Sequence, residues 1–326
     1  MDPSHELPHE IAQWLNGCGG GASRAQLLAR GQTSVDLARY VRHGSLVRVR
    51  RGHYALATPN LGDQWLQARQ THLHAVASLA DTDQVGALRS AALVWGLPVS
   101  AIPNEPELIR PPGRSRPSGT RVRFGLLAEQ DVVRHEGIWV TSLVRSAVDI
   151  ALDLPIPESL ITLDAALRRG IRRQDLREHL DRRGSVRHVR RARFAIDWAD
   201  PHVESPLESR CRGELLIDKI PPPECNLPLR LDGREIRPDL LWLALGIAIE
   251  VDGQGKYDEP DVLWREKLRQ EWMESDLDLI VLRFTHAEIV GDPRCCARRW
   301  RKAQARRAAA PWVRPRDLEV RLRDSR

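Results

Sequence analysis

The sequence contains no run of about 18 uninterrupted apolar residues, the length that a helix needs to cross a bilayer. This absence excludes a membrane-spanning protein. The first residues, MDPSHELPHEIAQWL, lack the basic start and the apolar centre of a secretory signal, so a cytoplasmic location is expected. The five cysteines are odd in number and show no C-x-x-C spacing, which argues against a closed disulfide framework and against a structural zinc site.

What is present is the composition of a globular protein with a modest positive charge. The 326 residues are 42% hydrophobic and 29% charged, which is enough for two or three domains with buried cores. Lys and Arg number 50 against 44 Asp and Glu, so the formal net charge is +6. This surplus permits a polyanionic partner without requiring one, and the distribution of the charges must decide.

The first 60 residues show the pattern of a winged helix-turn-helix. Cap residues and glycines predict three short helices over 8–16, 23–30 and 34–43. Alternating residues then predict strands over 46–50 and 53–56, joined by the turn Arg51-Gly52. The third helix would be the recognition helix, and the hairpin would be the wing.

Five arginines within thirteen residues lie on this predicted helix and wing. Arg39 and Arg42 would reach phosphates or guanines of duplex DNA, and Arg48, Arg50 and Arg51 would contact the DNA backbone. The alternative is a winged helix that binds another protein.

Residues 61–200 predict a middle α/β domain, with helices over 64–80, 86–96, 142–154, 159–170, 174–182 and 186–198 and strands over 107–110 and 120–124. Eleven arginines fall between Arg168 and Arg193, and a second basic stretch, RRWRKAQARR, lies near the end of the chain. Each stretch is either an electrostatic track for a nucleic-acid backbone or an ordinary solvated helix face.

Residues 201–310 predict a helix over 205–219, three meandering strands over 227–231, 234–243 and 247–251, a helix over 261–274, a strand over 279–284 and a basic helix over 293–310. The turn Asp232-Gly233 would join the first two strands. This order is the core order of the PD-(D/E)-x-K nuclease fold, so we expect a restriction-endonuclease-like domain with a central mixed sheet and a basic tail over 311–326. The whole chain is thus of α/β (α+β) class.

Three carboxylates occupy matching places in this region. Glu250 and Asp252 are two residues apart and share one face of a strand, and an antiparallel register would place Asp239 opposite one of them. Grouping such charges is costly without a cation, and Mg²⁺, with Mn²⁺ as a substitute, is the hard ion that carboxylates and phosphates prefer. The alternative is that these acids are merely solvated at strand ends.

Other residues near this site have two interpretations. Glu208 would donate a fourth acid to the metal, or it would serve only as the N3 glutamate of a capping box that begins at Ser205. The usual lysine of the motif is replaced by Asp252, so Lys256 or Lys267 would place the ammonium over the phosphate. Arg269, on the predicted helix over 261–274, is expected on a salt-bridged exposed face.

Several stretches resemble a known family. SRAQLLARGQTSVDLARYVRHGSLVRVRRGHYAL resembles the winged helix of AbiEi-type antitoxins from type IV toxin-antitoxin systems, and LRSAALVWGLP and TSLVRSAVDIALDL resemble the domain that follows it. ESPLESR, RPDLLW, EVDGQGKY, EKLRQ and VLRFTHAEI are similar to the very-short-patch-repair endonuclease-like domain that is often fused there.

This resemblance implies a protein that binds double-stranded DNA, represses its own operon and neutralises a nucleotidyltransferase-type toxin encoded nearby. It also implies that Glu208, Asp239, Glu250 and Asp252 are the functional acids, with Lys256 and Lys267 as accompanying cations. Two functions remain open, a metal-dependent DNA endonuclease and a non-catalytic repressor whose nuclease fold is only a scaffold.

Overall fold

Helices and strands are mixed along the described parts of the chain. The computed structural model describes residues 7–58, 60–81, 83–111, 120–252 and 268–320. Residues 268–276 are helical. The other α-helices are α1 (His9–Gly17), α2 (Arg24–Leu28), α3 (Ser34–Arg42), α4 (Gln64–Leu79), α5 (Leu88–Val94), α6 (Leu143–Asp153), α7 (Ile156–Arg168), α8 (Arg173–Arg182), α9 (Val189–Trp198), α10 (Pro206–Ile217), α11 (His286–Gly291) and α12 (Arg294–Ala309). Its strands are β1 (Gly21–Ser23), β2 (Leu46–Arg50), β3 (His53–Leu56), β4 (Val85–Gly86), β5 (Glu107–Arg110), β6 (Arg121–Phe124), β7 (Val132–His135), β8 (Ile138–Thr141), β9 (Glu224–Cys225), β10 (Leu229–Leu231), β11 (Arg234–Ile236), β12 (Leu240–Trp242), β13 (Ile247–Asp252), β14 (Ile280–Thr285) and β15 (Glu319–Val320). The predicted mixture of helices with mixed sheets is confirmed, and none of the described helices is long and apolar enough to span a membrane.

The chain forms two compact units. The first unit contains Met1–Asp153 and Gln174–Arg187, and the second contains Leu154–Arg173 and His188–Arg326. Residues of the predicted middle domain therefore occur in both units, because α7 packs with both α9 and α10 in the second unit. The predicted domain boundaries stay a prediction.

The beginning of the first unit is determined by local capping. The side chain of Ser23 accepts a hydrogen bond from the amide of Gln26, and that of Thr33 accepts one from the amide of Asp36. In return, the side chains of Gln26 and Asp36 accept hydrogen bonds from the amides of Ser23 and Thr33. These capping boxes start α2 and α3 at the predicted places.

The apolar faces of α1, α2 and α3 meet in one core around Leu15, Leu27 and Leu37.

A three-stranded antiparallel sheet of order β1-β3-β2 completes this part of the chain. The sequence did not predict β1, since three small residues carry no alternating pattern. Gly21 explains its composition: a Cβ atom there would lie 2.3 Å from the carbonyl oxygen of His74, so only glycine allows β1 to pack this closely against α4.

The rest of the first unit is built around a five-stranded sheet of order β6-β5-β4-β8-β7. The sheet is mixed: β5 pairs with β6 and β4 with β8 in parallel, and the remaining pairs are antiparallel. A buried ionic network crosses this region, in which Arg145, 1% exposed, donates to Asp131 (2.8 Å) and Asp149 (2.7 Å).

The second unit has two sheets. One has the order β14-β13-β12-β9, in which β13 and β14 are parallel and the other pairs antiparallel, and the other has the order β11-β10-β15. The turn Asp232-Gly233 joins β10 and β11 as predicted, with positive φ at both residues.

The single strand predicted over 234–243 is wrong, because it divides into β11 and β12, which belong to different sheets. Pro238 lies at the break and has no amide hydrogen to donate to a ladder.

The residues after 310 also pack within this unit: the Trp312 indole donates to the Leu277 carbonyl (2.9 Å), and β15 pairs with β10. Helix α11, which the sequence did not predict, starts at a capping box formed by Thr285 and Glu288.

Candidate functional sites

One exposed face of α3 combines small, polar and basic residues. Ser34, Ala38 and Arg42 recur every four residues and are all exposed, so they lie along one side of the helix. Val35, 74% exposed, flanks this row at the start of the helix. Leu37 and Tyr40 are buried on the opposite side, which fixes the direction of the exposed face.

The hairpin β2–β3 carries two further exposed arginines in the same unit. Arg48 lies in β2, and Arg51 lies in the turn beside Gly52, whose φ is +78°. Leu46 anchors β2 in the core beneath α3. The exposed face of α3, Arg48 and Arg51 are called the basic surface below.

Two of the arginines predicted to contact DNA have other partners. Arg39 is half-buried and forms an ion pair with Asp36 (2.6 Å), the acid of the α3 capping box. Arg50 is half-buried, and its Nη2 lies 3.0 Å from Nε2 of His53. Each of these partners lies three residues away in the sequence, but the prediction of DNA contacts did not use these pairings to separate Arg39 and Arg50 from the other three arginines.

The second unit brings three predicted acids to one place. The register of β12 and β13 pairs Leu240 with Ile249, so its continuation by one residue sets Asp239 beside Glu250. The side chain of Asn226 donates to Oε2 of Glu208 (2.9 Å), and its backbone amide donates to the carbonyl oxygen of Asp239 (3.0 Å). Glu208, Asp239 and Glu250 are called the acid cluster below.

Each member of the acid cluster has a defined partner. Glu250, 3% exposed, accepts a bidentate pair of hydrogen bonds from Arg269, with Nη1 at 2.6 Å and Nη2 at 3.2 Å. Asp239 accepts from the amide of Val251 (2.7 Å). Glu208 accepts from the amide of Glu204 (3.0 Å) and is also held at its own amide by the Ser205 cap, so its position in the first turn of α10 combines capping with membership of the cluster.

The electrostatics of the cluster favour a proton or a cation on Asp239. Burial raises the pKa of Asp239 to about 8, and the negative charges of Glu250 and Glu208 add to this effect. Arg269 and the hydrogen bond from Val251 only partly offset it. A carboxyl that would ionise only near pH 8 is therefore placed among other carboxylates, the situation that a bound cation relieves.

The other predicted residues of this site either lie apart from the acid cluster or fall outside the described residues. Asp252, at the end of β13, lies 3.7 Å from the guanidinium of Arg283 and is not among the charges that raise the pKa of Asp239. Lys256 and Lys267 lie outside the described residues. Within the described residues, no group of three or more His, Cys, Asp or Glu side chains is arranged to hold a metal ion. Asp239 and Glu250 are two oxygen donors, and Mg²⁺ is commonly held by one or two carboxylates together with water and phosphate oxygens.

Sequence reasoning missed two residues of this site. Arg269 pairs with the buried Glu250 instead of lying on an exposed helix face, and it also donates to the carbonyl oxygen of Arg237 (3.0 Å). Asn226 has a φ of +49°, a left-handed conformation that asparagine tolerates better than most residues, but an isolated asparagine in the sequence gives no such signal.

Arginines in both basic stretches have partners within the protein. In α12, Arg298 pairs with Asp292 (2.8 Å) and Arg307 with Asp278 (3.1 Å). In the second unit, Arg173 donates to the carbonyl oxygens of Ile196 (3.2 Å) and Ala199 (2.8 Å). The exposed Arg298 fits a solvated, salt-bridged helix face, whereas Arg173 and the buried Arg307 are held by partners within the second unit.

The titration of Asp239 leads to a prediction on stability. Between about pH 4 and pH 8 the folded protein keeps a proton on Asp239 that the unfolded chain has released, so the free energy of unfolding should fall as the pH rises through this range. Asp239→Asn should raise the free energy of unfolding by about 1–3 kcal/mol at pH 8 and flatten this dependence. Urea denaturation from pH 4 to pH 8 measures both, with Asp317→Asn, an exposed acid of the same unit, as the control. An unchanged slope in the Asp239 variant would show that the cluster does not interact in this way.

Comparison with known proteins places the chain among relatives. The uncharacterized proteins MT2308 and Rv2248, from the CDC 1551 / Oshkosh and H37Rv strains of Mycobacterium tuberculosis, are each 30% identical to it over 240 residues. The match covers 70% of this chain and 82% of each relative. The chain belongs to the same family as these proteins.

Two further comparisons add little to this assignment. No protein-family model matches the chain. The crystal structure of the RV2827C protein from Mycobacterium tuberculosis is similar over 68% of this chain and 85% of that chain, with 18% identity and a TM-score of 0.36.

Proposed function

We propose that the protein is a DNA-binding regulator of the AbiEi antitoxin type, whose first 60 residues form a winged helix-turn-helix that reads duplex DNA. The observation that carries this proposal is the basic surface. A row of serine, alanine and arginine on one helix face, next to an arginine-bearing hairpin, is a composition that suits a major groove flanked by phosphates.

The chemistry of each position supports this assignment. Arg42 has the fork of donors that recognises guanine or phosphate, and Val35 offers an apolar contact of the kind made with thymine methyl groups. Small side chains at Ser34 and Ala38 let the helix approach the base edges. Arg48 and Arg51 then contact the backbone beside the groove, which positions the helix without specifying the sequence.

The resemblance to AbiEi antitoxins supports a cytoplasmic repressor of its own operon that has a nucleotidyltransferase-type toxin as partner. Binding of the full-length protein to fluorescent duplexes from its own promoter tests the DNA-binding part. Anisotropy at several salt concentrations should show log K falling linearly with log[salt], because each neutralised phosphate releases counterions. Absence of salt-dependent affinity for any duplex would remove this function.

A second candidate function, metal-dependent hydrolysis of DNA, is favoured by the raised pKa of Asp239. In this proposal the second unit is a restriction-endonuclease-like domain, and Asp239 and Glu250 hold Mg²⁺, with Asp252 and Glu208 as accessory acids. The ion would polarise the scissile phosphate and lower the pKa of a bound water. Lys256 or Lys267 would supply the ammonium that the motif usually carries two residues after the glutamate.

The ion pair between Arg269 and Glu250 opposes metal binding, so cleavage has to be tested against the alternative of a non-catalytic scaffold. Its guanidinium already neutralises Glu250, so a metal ion has to compete with it. Incubation of the full-length protein with supercoiled plasmid and Mg²⁺ or Mn²⁺ should produce nicks that Glu250→Gln abolishes. Absence of nicks, while the same preparation binds DNA, would favour the scaffold.

A further inference from the structure

The first unit contains a cavity that the proposed function does not use. It has a volume of about 470 Å³ and lies between the hairpin strand β2, helix α4 and the loop 102–106. This volume is within the range of about 300–1,000 Å³ typical of small-molecule sites. Apolar side chains from all three elements form most of its wall, among them Val49, Leu79 and Ile102.

A β-bulge places an arginine in this wall. Arg48 pairs with Tyr54 and Arg50 pairs with His53, so Val49 is an extra residue in β2. In a regular strand, neighbouring side chains point to opposite faces, but here Val49 and Arg50 both line the cavity. Bulges redirect side chains in this way and are frequent next to functional sites.

A chain of hydrogen bonds fixes the side chain of Arg50 in this position. Nδ1 of His53 lies 2.6 Å from the carbonyl oxygen of Ser78, so it carries the proton. Nε2 of His53 therefore accepts from Nη2 of Arg50, at 3.0 Å. This chain connects the hairpin to the end of α4 and holds the Arg50 guanidinium at a mostly apolar cavity.

The charge of the cavity indicates the class of ligand. Arg50 is the one charged side chain among the described residues that line it. His72 also lines it, but burial lowers the pKa of His72 to about 4, so this ring is neutral near pH 7. Thr71 and Asn104 add neutral hydrogen-bonding groups. An apolar chamber with one cation suits a molecule with an apolar body and one anionic group.

We propose that this cavity binds a small organic carboxylate with Arg50 as its counter-ion, and that the bound carboxylate lowers the affinity of the protein for DNA. The regulatory half of the proposal rests on the proposed function. Arg50 lies between Arg48 and Arg51, so a carboxylate on it cancels one positive charge of the hairpin. The expected loss of DNA affinity is about fivefold, at the lower end of common allosteric couplings.

The probe is 4-phenylbutyrate, compared with its neutral amide, 4-phenylbutyramide, on the full-length protein. Thermal denaturation without DNA reads binding, and anisotropy on the promoter duplex reads the coupling. The carboxylate should raise the melting temperature more than the amide does, and Arg50→Gln should remove this difference. Thr71→Trp, which adds a large ring at an exposed lining position, should abolish the shift, and Arg134→Gln, an exposed arginine away from the cavity, should retain it.

Each contrary result would overturn a different part of the proposal. Equal shifts with carboxylate and amide, or a full shift in Thr71→Trp, would overturn the site. A carboxylate-specific shift with unchanged DNA affinity would overturn the regulation. Failure to bind DNA without any ligand would instead overturn the proposed function, since the thermal measurement is made without DNA.

Discussion

Replacing Arg42, Arg48 and Arg51 together with alanine is expected to weaken binding to the promoter duplex by about two to three orders of magnitude. This corresponds to about 1–1.4 kcal/mol for each arginine, at the lower end of typical values for arginines that contact DNA. The salt dependence should change with it: the slope of log K against log[salt] should become shallower by about 2–3, because three phosphate or groove contacts are lost.

The matched control removes the same charge from the second unit. Arg230, Arg234 and Arg237 are exposed residues on and beside the hairpin β10–β11, and their replacement with alanine lowers the net charge equally. If the affinity depends on the basic surface, this control should bind nearly as well as the natural protein. Equal losses in the two variants would show that only the overall charge matters.

The two predicted arginines outside the basic surface provide a finer test. Arg39 is paired with Asp36, and Arg50 lines the cavity, so alanine at either position should weaken DNA binding less than alanine at Arg42. A larger loss at Arg39 or Arg50 would mean that their side chains turn outward when DNA binds.

Arg269→Gln is expected to lower the free energy of unfolding of the second unit by about 2–4 kcal/mol at pH 7. The variant leaves the buried carboxylate of Glu250 without its bidentate partner, and breaking a buried ion pair from one side is costly. The loss should be smaller than for a fully buried pair, because a third of the Arg269 side chain is exposed to solvent that screens the charge. Urea denaturation followed by tryptophan fluorescence measures it.

The same variant tests the cation site. If Asp239 and Glu250 hold Mg²⁺, the ion should raise the melting temperature of Arg269→Gln more than that of the natural protein, since it no longer competes with a guanidinium. The double variant Glu250→Gln/Arg269→Gln should lose this response. Arg283→Gln is the control, because the guanidinium of Arg283 lies 3.7 Å from Asp252, farther than the 2.6 Å between Arg269 and Glu250. No difference in the Mg²⁺ response between Arg269→Gln and the natural protein would rule out the cation site.

The sequence by itself determined the local elements. Ser23, Thr33 and Ser205 predicted helix starts, and Arg51-Gly52 and Asp232-Gly233 predicted hairpin turns. These signals are readable because a cap or a turn forms its hydrogen bonds within about four residues of itself. The spacing of Asp239, Glu250 and Asp252 likewise identified two strands that bring acids together.

Only the tertiary structure decided which charged groups are used and with whom. Arg269 pairs with Glu250 across 19 residues, and Asn226 bonds Glu208 across 18. Arg48 and Arg50 look alike in the sequence, but the bulge at Val49 turns Arg50 to the cavity. The physical reason is the same in each case: a side chain's partner depends on which distant strand or helix packs against it, and neither periodicity nor capping carries that information.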